Sequence, residues 1–208
     1  HHFLATIPLK PFEIAKKRGK KIVYDIHEYH PENFLSGLHG VLGNVKTSTV
    51  LSIFKRQLEL SDLCIFVSEE TKNDIVQYAD IDPKKTSVLS NYASILIPPD
   101  LSKKHKEIVY VGKITRHIDN EKNILKQMIQ DGFSFKIIGM DEKEFSDVPH
   151  MYTEFLSYDK MMEEVSKSAF SLISFNTLRK NNKYKNDLYS LPHKYYDSLA
   201  AGTPVIVK

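Results

Sequence analysis

The feature that most constrains this chain is an alternation that stops and then starts again. Ile22-Val23-Tyr24-Asp25-Ile26, Leu63-Cys64-Ile65-Phe66-Val67 and Thr86-Ser87-Val88-Leu89 are short apolar runs of strand length. Ile108 to Val111, Phe135-Lys136-Ile137-Ile138, Met151 to Phe155, Phe170 to Ser174 and Val205-Ile206-Val207 form a second series. Between them Phe12 to Arg18, Val45 to Leu60, Glu69 to Tyr78, Lys122 to Gln130 and Asp159 to Ser166 carry helical spacing of apolar residues. Strands that alternate with helices imply parallel sheets, so the first runs are expected to be buried. Ser68 and Ser157 stand where N-caps belong. The series are separated by Ile97-Pro98-Pro99-Asp100 and Lys103-Lys104-His105-Lys106, a Pro-rich and then charged composition typical of a spacer. The reading is therefore α/β, with two parallel-sheet domains over residues 1–97 and 106–208, and 208 residues suffice for two small domains.

Composition removes several classes. At 41% hydrophobic the chain has enough apolar residues for packed cores, which excludes a disordered chain. The 29 basic and 26 acidic residues leave +3, a balance that suits an anionic ligand or loose attachment to a membrane surface and does not call for nucleic acid. No apolar run approaches the roughly 20 residues that span a bilayer. Cys64 is the single cysteine, so no internal disulfide is available, and a reducing, cytoplasmic setting is expected. The chain opens on His1-His2 and closes on a strand, so both ends are expected to be incomplete. Gly37, Gly40 and Gly43 read as a flexible loop.

The closing stretch, Ser190-Leu191-Pro192-His193-Lys194-Tyr195-Tyr196-Asp197-Ser198-Leu199-Ala200-Ala201-Gly202-Thr203-Pro204-Val205-Ile206, reads as loop, helix, turn and strand. Pro192 suits the first turn and Gly202 a left-handed helix end. Free N–H groups at a helix start attract an anion, and the carboxylate of Asp197, between one and two turns in, can accept hydrogen bonds from a sugar diol. A tight helix–turn–strand unit of any α/β domain would share the same turn signals.

This stretch resembles the S-L-P-x-K-x-x-E-x-x-A-x-G-x-P-V-I signature of GT-B glycosyltransferases, family 4 in particular, with Asp197 in place of Glu. The second Glu of the commoner pattern, eight residues earlier, is Tyr189 here, as in the S-L-P-x-K branch. Five further places follow the family's order. Lys21 to Glu28 resembles the strand and histidine of its first domain, Asp62 to Ser68 its "A-D-x-V-I-x-V-S", and Ser90-Asn91 its "P-N". Ile108 to Ile114 resembles "Y-V-G-R-L", and Phe135 to Gly139 "L-x-I-x-G". The family's first strands, with their glycine loop, have no counterpart, nor does the material after its last strand.

The resemblance implies two Rossmann-like domains facing a cleft, and transfer of a sugar, with retention, from a nucleotide-diphosphate sugar to a glycan or lipid-linked glycan. It also implies a role in bacterial surface polysaccharide synthesis, at the cytoplasmic side with peripheral membrane contact. In the family, the residue matching His27 lies by the donor sugar at the reaction centre. Glu28 beside it is a residue for the acceptor, for orienting His27, or for solvent. Gly112, Gly139, Ser190, Lys194 and Asp197 are the matching donor-binding positions. Lys113, Arg116 and Lys122 supply the cations that offset the charge of a leaving diphosphate, and which of them does so stays open. His117, His150 and His193 lack the spacing of a zinc site, and no D-x-D triplet occurs. No metal and no cofactor are therefore expected, the nucleotide sugar being a substrate. A nucleotide-sugar epimerase of the same fold and a non-catalytic nucleotide-binding module remain as other readings. The Lys- and Asn-rich stretch from Arg179 to Asn186 reads as solvated loop, and Tyr195-Tyr196 as packing.

Overall fold

Parallel β-strands form where the apolar runs stand, and a computed structural model describes residues 9–27, 40–113, 118–140, 143–174, 189 and 191–207. The chain divides into two compact units, His1–Ser90 with Arg179–Leu191, and Asn91–Leu178 with Pro192–Lys208.

The first unit contains α1 (Lys10–Lys17), β1 (Val23–Ile26), α2 (Gly40–Leu60), β2 (Leu63–Phe66), α3 (Glu69–Ala79) and β3 (Thr86–Val88). The strands form a parallel sheet in the order β1-β2-β3. β1 and β2 alternate: Tyr24, Ile26, Cys64 and Phe66 point into the core with Phe12, Phe54, Leu58 and Ile75. The expectation of a buried first strand is corrected here, because a period of two turns Val23 and Asp25 to the other face and leaves Val23 59% exposed. Tyr24 meets Phe12 and Phe54 edge-on, with ring centres 5.4 and 6.2 Å away. Burial pushes the Cys64 thiol up to about 11, so it behaves as a small apolar side chain. Ser68 caps α3 as its position suggests, accepting the Thr71 N–H at 3.1 Å. Gly40 and Gly43, read as flexible loop, lie within the start of α2, since a glycine costs a helix only about 1 kcal/mol and Val41, Leu42 and Val45 continue it. Gly37 lies outside the described residues.

The second unit contains β4 (His105–Gly112), α4 (Asp119–Gln130), β5 (Ser134–Gly139), β6 (Met151–Thr153), α5 (Tyr158–Lys167), β7 (Ser168–Ile173), α6 (His193–Ala200) and β8 (Val205–Val207). All five strands run parallel in the order β6-β5-β4-β7-β8. Alternate residues of β4 serve opposite layers. Ile108 and Tyr110 join Leu125, Phe135, Phe145 and Val148, whereas Val109 joins Ile138, Met162, Val165 and Ala201. A sheet covered on both faces explains why these strands are nearly continuous apolar runs.

The stretch that reads as a spacer packs on this second unit. Ala93, Ile95 and Ile97 cover the layer of Val109 and Met162, and the Ile97 N–H donates to the Ala200 carbonyl at 2.8 Å. Gly202, at φ +65°, is left-handed as expected, and a β-carbon there would fall 2.9 Å from the Cα of Pro99. His105 and Lys106 belong to β4, which begins three residues before the apolar run. Polar residues pair in the ladder as well as apolar ones do, so hydropathy alone misses such strand starts. Ser157 is the N-cap of α5 by position, without a side-chain bond.

Four charged side chains of the second unit are paired with one another. Buried Glu107 accepts the Ser168 hydroxyl at 2.8 Å and lies 3.6 Å from Lys136. Lys136 also bonds Glu164 at 2.8 Å, as does Lys167. These two ammonium groups hold the Glu164 carboxyl well below its ordinary value of 4.5, at about 2. No described helix is long and apolar enough to cross a membrane.

Because the Glu164 value is lowered on folding, its contribution to stability is present above about pH 4.5 and is lost as pH falls toward about 2. The wild-type protein is expected to lose stability over that window faster than Glu164→Gln. Urea denaturation of both at successive pH values tests this, and parallel curves would show the pairing to be without effect.

Candidate functional site

In a parallel sheet, ligands bind at the carboxyl ends of the strands, where successive connections leave the central strand in opposite directions. Here the chain passes from β4 to β5 and β6 on one side, then to β7 and β8 on the other, so this point lies at the carboxyl ends of β4 and β7.

Two glycines form its floor. Gly112 and Gly139 end β4 and β5 and are paired in register. Their φ angles are +97° and +127°, and a β-carbon on Gly139 would lie 3.0 Å from the Cα of Gly112. Only glycine lets these strand ends approach so closely, and it leaves bare backbone at the carboxyl edge of the sheet. Tyr152 donates its hydroxyl to the Gly139 carbonyl at 3.2 Å.

Helix α6 supplies the charges. Pro192 is its N-cap, and no side chain caps it. Lys194, in the first turn, reaches back over β4. Its Nζ donates to the Tyr110 hydroxyl at 3.0 Å and lies 4.5 Å from the centre of that ring, and a β-carbon on Gly112 would sit 3.4 Å from its Cε and Nζ. The Tyr110 hydroxyl in turn donates to the Lys113 carbonyl at 3.0 Å. Gly112, the Lys113 backbone and Lys194 are thus brought together, while the Lys113 side chain is exposed. Asp197, three residues on and so on a neighbouring part of the helix surface, accepts the Tyr158 hydroxyl at 2.7 Å. Tyr158 also accepts the Ser94 N–H at 3.1 Å. Burial first, then the bond to Asp197, raises the Tyr158 phenol above its ordinary value, which keeps it a proton donor.

Lys122 has an acidic partner. It lies in the first turn of α4 and pairs with Asp147 at 2.8 Å, which Lys126 approaches to 2.7 Å. These hydrogen bonds hold Asp147 well below the usual carboxylate range. Buried Glu121, next to it, accepts the Ser174 hydroxyl at 2.7 Å and so ties the start of α4 to the exit of β7. In the first unit His27 follows the last residue of β1, and its Nε2 lies 2.8 Å from Oδ2 of Asp25, two residues back on the same strand face. Such a carboxylate fixes the imidazole's orientation. Glu28, Arg116 and Ser190 lie outside the described residues, as does the stretch from Arg179 to Asn186. Tyr195 and Tyr196 stand edge to face, 5.5 Å apart.

Tyr110, Tyr158 and Asp25 were not legible as site residues. A tyrosine in an apolar strand or at the start of an amphipathic helix carries the same sequence signal as one that only packs. Asp25 shared its signal with the strand around it.

No family model matches the sequence, and no curated protein matches it. Solved structures do. A mutant TarM from S. aureus, in complex with fondaparinux, α-GlcNAc-glycerol and UDP, aligns with a TM-score of 0.60 at 13% identity, over 95% of this chain and 39% of that one. An alpha-glucosyltransferase in complex with UDP-glucose and DNA containing an abasic site gives 0.54 at 12%, over 95% and 55%. An alpha-glucosyltransferase with UDP and a 13-mer DNA containing an HMU base gives 0.53 at 14%, over 96% and 57%. The present chain therefore spans between about two fifths and three fifths of these three solved chains.

Gly139→Ala is expected to destabilise the protein by about 1–3 kcal/mol through backbone strain and the collision with Gly112. Gly19→Ala, also at positive φ but with open space around it, is expected to cost less. Denaturant unfolding of the two variants compares them directly, and an equal loss would mean that the close approach of β4 and β5 does not matter. The likeness to the solved glycosyltransferases shows what carries these residues: the chain has the α/β GT-B fold, with two Rossmann-like parallel-sheet units.

Proposed function

We propose that the chain belongs to a glycosyltransferase that moves a sugar from a nucleotide-diphosphate donor to a glycan or lipid-linked glycan. The observation that carries the reading is α6 at the switch point, with Lys194 against Gly112 and Asp197 one turn on. A helix start, an ammonium and bare glycine backbone suit a diphosphate. A carboxylate one turn further suits the ribose hydroxyls. The solved chains of this fold that hold UDP or UDP-glucose support the same reading.

In this scheme Gly112, Gly139 and Lys194 receive the diphosphate, with Ser190, Lys113 and Arg116 as further donor-side groups. Lys122 joins them only if its ammonium exchanges Asp147 for phosphate. Asp197 accepts from the ribose. The charge that grows on the diphosphate as the sugar leaves is offset by these fixed donors. His27, oriented by Asp25, donates to a sugar hydroxyl or a phosphate oxygen, and Glu28 serves the acceptor. Transfer with retention, no metal, a place in bacterial surface polysaccharide synthesis and peripheral attachment at the cytoplasmic membrane face complete the proposal. Although two of the solved chains hold DNA, the near balance of 29 basic and 26 acidic residues favours a glycan acceptor here.

Calorimetry with UDP tests the site. Asp197→Asn is expected to lower affinity about ten- to a hundredfold at unchanged melting temperature, and equal affinities would remove Asp197 from it. A panel of UDP-sugars with and without glycan acceptors tests the reaction. Transfer is expected, epimerised donor would indicate an epimerase of the same fold, and binding without turnover a nucleotide-binding module.

A further inference from the structure

We propose that Tyr110 and Tyr158 are the positioning residues of α6, the first aiming Lys194 at phosphate and the second aiming Asp197 at the hydroxyls of a ribose. The inference rests on the reading of α6 given above and adds two residues to it.

A phenol hydroxyl has one proton to give and lone pairs to accept with. Tyr110 spends its proton on the Lys113 carbonyl, 3.0 Å away, so what it turns toward Lys194 is a lone pair. The ammonium is held by that oxygen and by the ring face beneath it. Tyr110 itself is 3% exposed and packs edge-on against Phe145 at 5.7 Å, so its hydroxyl is a fixed point. Tyr158 is used in the opposite sense. Its proton goes to Asp197 Oδ1 and its lone pair takes the Ser94 N–H. Ser94 lies in the segment that Ile97 fastens to the Ala200 carbonyl of α6 itself. Asp197, α5 and that segment thereby close a ring around the carboxylate.

Helix α6 has a separate attachment to the sheet: the hydroxyl of buried Ser198 lies 2.8 Å from the Ser171 hydroxyl on β7. The tyrosines act on the two charged side chains instead. A lysine held in advance loses less freedom when a phosphate binds, and a carboxylate with one oxygen fixed presents the other in one direction. The sense of each bond matches its charge, an accepting phenol for the cation and a donating phenol for the anion.

The test is calorimetry of Tyr110→Phe and Tyr158→Phe with UDP, uridine and 2′,3′-dideoxy-UDP. Tyr110→Phe is expected to weaken UDP about three- to tenfold and to leave uridine unchanged; Tyr158→Phe is expected to weaken UDP by a similar factor and to leave the dideoxy compound unchanged. In Lys194→Met and Asp197→Asn backgrounds, respectively, each loss is expected to vanish. Equal losses for all three ligands, losses that persist in those backgrounds, or no loss would overturn the proposal. Failure of the wild-type protein to bind UDP would defeat the functional reading instead, and the tethers are then read without nucleotide. Reductive methylation of Lys194 is expected to speed up in Tyr110→Phe, and carbodiimide labelling of Asp197 in Tyr158→Phe. Unchanged rates would overturn the proposal on their own.

Discussion

The in-register pairing of Gly112 with Gly139 at the ends of β4 and β5 is the constraint on which the second unit depends. Parallel strands share one direction, so every strand end that matters falls on one edge of the sheet. Where two such ends carry side chains, the side chains fill the edge. Where both are glycine at positive φ, the backbones close to within a distance that a β-carbon would violate, and the edge stays open. Lys194 reaches Gly112 from α6 because nothing on that residue stands in its way. The rest of the edge, from the Tyr110 hydroxyl to the Lys113 carbonyl, is arranged around that approach.

The same unit shows two ways of handling charge. Glu107, Lys136, Glu164 and Lys167 are matched by opposite charges, which offset part of the cost of taking them from water. Such a group is stable and chemically quiet. At the carboxyl edge Lys194 and Asp197 engage phenol hydroxyls. A phenol orients a charge without cancelling it. Lys122 belongs to the first kind, bound to Asp147.

In the first unit the histidine after β1 follows the same geometric rule, a polar group at the carboxyl end of a parallel strand, oriented by Asp25 from the same face. The sheet here is narrower and its first strand is covered on one face only. Its core depends on aromatic rings, Phe12, Tyr24 and Phe54 meeting edge to face across the layer between α1, β1 and α2.

The local elements were legible in the sequence because each is set by neighbours a few residues away. Ser68 capping α3, Gly202 ending α6 and the strands that finish at Gly112 and Gly139 all rest on backbone preferences that one residue type satisfies. The α/β class followed from strands alternating with helices, and the closing helix with Lys194 and Asp197 from its turn signals and motif. Other features depended on residues far apart in the chain. Whether Ile97-Pro98-Pro99 was spacer or surface was decided by a layer that Val109, Met162 and Val165 assemble from three elements. That Lys122 meets Asp147 was decided by the turn after β5, which brings the carboxylate to it. Tyr110 and Tyr158 became partners of Lys194 and Asp197 through contacts 84 and 39 residues apart. Spacing along a chain reports which residues share a face of one element, and only packing decides which face meets which.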